Sequence, residues 1–118
     1  MSSWMTAEWQ PATSARLEEA MVGTGVYELR DPTGEVVDIG FAGGREIFGL
    51  RSALGRALAG NLDAGWSFRC EPHVQYMSRY VELVLDFKFR HGGNLPARAQ
   101  LRGIEISGRI DPGTSSQS

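Results

Sequence analysis

Two β-rich runs, Val26–Arg30 and Glu35–Gly40, flank the tetrapeptide Asp31-Pro32-Thr33-Gly34, whose proline and glycine supply the dihedrals of a tight reversal. The spacing predicts a β-hairpin, and the rest of the core must be built against it. Gly43-Gly44 breaks the return strand. A helix is then expected over Arg45–Ala59, with Ile47, Leu50, Leu54, Ala57 and Leu58 on one buried stripe, stopped by Gly60-Asn61. Trp66–Val74 reads as a third strand that Pro72 ends early or places at an edge. A second helix opens at or just before Ser78 and runs to Arg90, with Tyr76, Met77, Tyr80, Val81, Val84, Leu85 and Phe89 on its apolar face. His91-Gly92-Gly93 ends it. Pro96 suits the first turn of a short third helix reaching Arg102. The expected class is α/β (α+β): a small, three-stranded, mainly antiparallel sheet flanked by helices.

The 118 residues have room for one such domain. It is expected over residues 23–110, preceded by an arm or short helix over 1–22 and followed by a flexible tail over 111–118. Within the arm, Ala15–Met21 is a candidate helix that Thr13 or Ser14 can cap. Trp4 and Trp9 either pack onto the domain or meet a partner, and packing is the expectation. The tail is Gly, Pro, Ser and Thr with little to bury.

Composition narrows the function classes. No apolar run approaches the roughly 20 residues of a membrane span, and Met1–Gln10 lacks the order of a secretory signal. Cys70 is the single cysteine, so neither an internal disulfide nor a thiol pair for zinc exists. A cytoplasmic protein is expected. The formal net charge of −2 argues against a dedicated nucleic-acid binder. The basic residues nevertheless gather locally. Arg45, Arg51 and Arg56 face Glu46 alone, and Arg79, Lys88, Arg90, Arg98 and Arg102 outnumber Glu82 and Asp86. These segments can meet phosphates or serve as solvated helix faces.

Gly25-Val26-Tyr27 on the opening strand and Asp38-Ile39-Gly40 on the return strand carry a likeness. Arg51 on the next helix, Glu82 on the helix after the third strand and Asn94 in the turn beyond it extend that likeness. In this order, on these elements, they resemble the motifs of the GIY-YIG nucleases over Gly23 to about Leu101. The second motif's tyrosine is replaced by Asp38. Phe41-Ala42-Gly43-Gly44 lengthens the segment before the helix, Arg45 is the nearest base after the second motif, and Gly55 stands where the family often has histidine.

The resemblance implies a divalent-metal-dependent endonuclease, a hydrolase cleaving DNA phosphodiesters with Mg²⁺ or Mn²⁺. Glu82 would be the metal ligand, since a hard cation accepts one carboxylate plus waters and phosphate oxygens. Arg51 would fork onto the scissile phosphate, Tyr27 would position or deprotonate water, and Asn94 would orient substrate or Glu82. Arg45 and Arg56 would add substrate contacts. Asp38 reads as a second metal ligand or replacement base, or as a negative charge opposing phosphate. Each residue also has an ordinary role: Tyr27 as a strand tyrosine, Arg51 paired to a nearby acid, Glu82 paired to Arg79 on a solvated face. The alternatives to catalysis are an inactive GIY-YIG-like module that binds nucleic acid or a protein partner, and a homodimer using Trp4, Trp9 and an exposed strand edge.

Overall fold

A computed structural model describes residues 5–20, 22–44 and 47–98. Arg45, Trp4, the tail and most of the expected Pro96–Arg102 helix lie outside those residues. Chain order is β1 (Gln10–Pro11), α1 (Ser14–Glu18), β2 (Gly25–Arg30), β3 (Val36–Ala42), α2 (Gly49–Ala57), β4 (Ser67–Pro72) and α3 (Tyr76–Arg90). The strands form a four-stranded antiparallel sheet in the order β1-β4-β2-β3. The expected three strands are its body, and the two-residue β1 is an addition the sequence did not announce. That addition moves β4 off the edge. Gln10 and Pro11 pair with Phe68 and Ser67, and Pro72 is left to end the strand beyond β1's reach.

The hairpin turn is organised by Asp31. Its carboxylate accepts from the Thr33 amide at 2.9 Å, the Thr33 hydroxyl at 2.5 Å and the Glu35 amide at 3.2 Å. Gly34 takes the left-handed φ of +92° that the reversal needs. β2 is the central strand, and Gly25 to Leu29 are buried on both faces. Because successive strand side chains point to opposite faces, it feeds two cores. Tyr27 and Leu29 join Ala42, Phe68 and the α2 residues Leu50, Ala53 and Leu54, with Leu58 just beyond. Val26 joins Ile39, Met5 and the α3 residues Tyr80, Leu83, Val84 and Phe87. The sheet is thus a layer between α2 and α3.

Two helix expectations need correction. α2 begins at Gly49, not Arg45, because Phe48 and Gly49 both hold left-handed backbone, at φ +62° and +51°. Gly49 lies so close to Gly23 that a Cβ there would be 2.1 Å from the Gly23 nitrogen, and the Leu50 amide donates to the Gly23 carbonyl at 2.9 Å. Ile47, expected on the buried stripe, is therefore 74% exposed. On α3 the buried face is Tyr80, Leu83, Val84 and Phe87, whereas Met77, Leu85 and Phe89 face outward. With apolar residues on most sides of this helix, periodicity alone did not choose the face.

α1 is shorter than expected but starts as read, with the Thr13 hydroxyl accepting from the Arg16 amide at 3.1 Å. Trp9 packs on the domain, with the guanidinium carbons of Arg30 and Arg69 each 4.4 Å from its ring centroid. Arg69 in turn neutralises Glu28, a buried carboxylate, at 2.7 Å. No helix among the described residues is long and apolar enough to cross a membrane.

Candidate functional site

Tyr27 and Gly40 are cross-strand partners on β2 and β3. The phenol lies over Gly40 so closely that a Cβ on Gly40 would be 2.3 Å from its oxygen. Asp38, two residues earlier on β3, shares this face by alternation and is 1% exposed. Its carboxylate is 3.6 Å from Arg98 Nη1, and that same nitrogen donates to the Ala57 carbonyl at the end of α2 at 2.5 Å. Arg98 also lies over the Trp66 ring, 5.0 Å from its centroid.

Arg51 rises from α2, on the same side of the sheet as Tyr27. Its guanidinium turns to the end of α1 instead, where Nε and Nη2 donate to the Ala20 carbonyl at 3.1 and 3.0 Å. This fork ties α1 to α2. Arg56 is exposed one and a half turns further along the helix.

Glu82 belongs to α3, on the opposite face of the sheet. Arg79 donates to it from Nη1 at 2.6 Å and to both oxygens of Glu71 on β4, at 2.8 and 3.1 Å. These carboxylates hold the Arg79 guanidinium above its ordinary pKa, Glu71 contributing most. Asn94 sits past the far end of α3, its amide donating to the His91 carbonyl at 3.1 Å, beside Asp31 and Glu35 of the hairpin turn. Along the axis, Glu82 and the helix end at Arg90 are about 12 Å apart at 1.5 Å per residue.

The structure therefore brings Tyr27 and Asp38 onto one face and leaves Glu82 and Asn94 on the other side of the sheet, apart from each other. The donor set does not fit a divalent ion as it stands. A cation at Glu82 would sit against the Arg79 guanidinium, and Asp38 is buried beside Arg98 with the sheet between. Among the described residues no three His, Cys, Asp or Glu side chains gather into a metal-holding group.

What the sequence reading missed lies at the other end of the strands. The His73 amide donates to the Thr24 carbonyl at 3.0 Å, and the Thr24 hydroxyl donates to the His73 carbonyl at 2.9 Å. Phe41 stacks on Tyr76 with centroids 5.7 Å apart. Around these contacts stand Val22, Phe48, Val74 and Met77, between 47% and 89% exposed. The available signal was the stretch 72–78, which holds no Asp, Glu, Lys or Arg, not any motif. No family model matches the chain, and neither the curated proteins nor the solved structures give a match.

Proposed function

We propose that this domain is a non-catalytic binding module on a GIY-YIG-like scaffold, acting through contacts with protein. The observation that carries the reading is the opposition of Tyr27 and Arg51 on the α2 side to Glu82 on the α3 side. Phosphodiester hydrolysis needs water activation, phosphate binding and a cation around one reacting centre. Here Arg51 serves Ala20, Asp38 lies beside Arg98, and Glu82 shares Arg79 with Glu71. Protein is favoured over nucleic acid because the net charge is −2 and several of the arginines are engaged internally, while large apolar side chains face outward.

One observation keeps the nuclease as a second reading: the Glu82 side chain is 58% exposed and accessible to a hydrated ion if Arg79 turns away. The test is an assay of the full chain on duplex, branched and single-stranded DNA with Mg²⁺ and with Mn²⁺. No nicking is expected. Nicking lost in both Glu82→Ala and Arg51→Lys, with the circular-dichroism spectrum unchanged, would overturn the binding-module reading.

A further inference from the structure

A cavity of about 410 Å³ opens between the β2–β3 turn, β4 and the last turn of α3, within the size range of small-molecule sites. Glu28 lines it from the central strand and is 3% exposed. Arg69 meets this carboxylate through Nε and Nη2, both at 2.7 Å and both on Oε1. Among the described residues no donor reaches Oε2. Buried carboxylate oxygens are as a rule hydrogen-bonded. An acceptor this deep on the wall of a cavity therefore calls for a donor from outside the chain.

The surroundings set the chemistry of that donor. Both arginines of the wall are already held, Arg69 by Glu28 and Arg90 by Asp86 at 2.8 Å. Arg30 is not part of the wall, and its guanidinium lies over the Trp9 ring. Glu35 is on the wall and has no ion pair among the described residues. Phe87 and Arg90 bring in the last turn of α3, the negative end of the helix dipole. A cation is thus favoured over an anion. His91 supplies a further acceptor. Its Nδ1 is 2.8 Å from the Phe87 carbonyl oxygen, which can only accept, so the neutral ring keeps its lone pair on Nε2. A guanidinium needs two carboxylate oxygens for its fork, and Oε1 is taken. A metal ion needs ligands grouped more closely than any three in the described residues. A primary ammonium is a compact charge with three donors, and Val36 and Phe87 offer apolar wall to its stem.

We infer that this cavity binds the ammonium end of an alkylamine, with Glu28 Oε2 as the buried acceptor and Glu35 as the exposed charge partner. A free amine and the lysine side chain of another protein share this chemistry. The site does not depend on the protein-contact reading above: a lysine would extend that reading, and a free amine would stand beside it.

Isothermal titration of the full chain with butylamine, capped lysine, butanol and Mg²⁺ tests this. At least one of the two amines is expected to bind at millimolar concentration. Glu28→Gln, with an unchanged circular-dichroism spectrum, should weaken that binding by about tenfold or more, as the loss of a charged hydrogen bond does. Binding that a folded Glu28→Gln leaves unchanged overturns the inference. Where Glu28→Gln does not fold, the exposed Glu35→Gln decides: a weakening of about threefold sustains the site, and unchanged binding overturns it. Failure of both amines to bind overturns it, as does butanol binding as tightly as butylamine or Mg²⁺ displacing the amine. Butylamine bound with capped lysine excluded supports a free amine as the source. Capped lysine bound more tightly than butylamine supports a protein lysine.

Discussion

The Tyr27 phenol occupies the space that a side chain on Gly40 would fill: a Cβ there would be 2.3 Å from both Cζ and Oη. The glycine of the return strand is therefore present for the tyrosine of the opening strand, which is buried over it as a cover for the α2 core.

Gly40→Ala should consequently destabilise the domain by about 1–3 kcal/mol, the usual cost of forcing extra atoms into a packed core. In a Tyr27→Val background the same substitution should cost much less, because the colliding ring is gone. Urea denaturation of the four proteins reads the coupling as a double-mutant cycle. Additive effects would show that Gly40 and Tyr27 do not meet.

Asp38→Ala should cost about 1–3 kcal/mol, since it leaves the Arg98 guanidinium without its carboxylate beside a buried strand. Arg98 is partly exposed and can turn toward water, which keeps the loss below that of a fully buried pair. Thermal denaturation should show the larger decrease for Arg98→Met, which takes this cation from a buried carboxylate, and the smaller for Asp38→Ala. A stability equal to the wild type's would mean that the carboxylate has no structural partner in this pair.

The hairpin turn predicts a pH dependence. The Thr33 hydroxyl first, and then the backbone amides of the turn, hold the Asp31 carboxyl below its ordinary value of 3.8. A carboxyl depressed in the folded state stabilises the fold above the unfolded-state value. That contribution is lost as pH falls through the folded-state value. Melting temperatures measured from pH 5 to pH 2 should fall less steeply for Asp31→Ala than for the wild type. Parallel curves would remove the turn carboxylate from the acid response.

The fold was legible where local chemistry and global packing agreed. Asp31, Pro32 and Gly34 announce the hairpin, Thr13 announces α1, and Leu50, Leu54 and Leu58 mark the buried side of α2. It was not legible where several apolar residues competed for one face. α3 carries them at Met77, Tyr80, Leu83, Val84, Leu85, Phe87 and Phe89, and only contact with Val26 and Ile39 selects among them. The candidate site was less legible still. Spacing along the chain sets which element carries Tyr27 or Glu82, but not which side of the sheet that element covers. Nor does spacing reveal that Arg51 reaches Ala20.

The start of α2 gives the last prediction. Gly49 combines φ +51° with a backbone contact so close that a Cβ would lie 2.1 to 2.6 Å from three atoms of Gly23. Backbone cannot yield as a flexible side chain can, and the left-handed conformation alone costs an alanine about 1 kcal/mol. Gly49→Ala should therefore push the two segments apart and break the hydrogen bond from the Leu50 amide to the Gly23 carbonyl. A loss of about 2–4 kcal/mol is expected from strain and the lost bond together. The neighbouring Phe48→Gly should behave oppositely. It releases a strained residue whose ring is mostly in water, so stability should change by less than about 1 kcal/mol in either direction. Chemical denaturation of both variants checks the contrast, and equal destabilisation would show that the chain does not enter α2 through a close approach of Gly49 to Gly23.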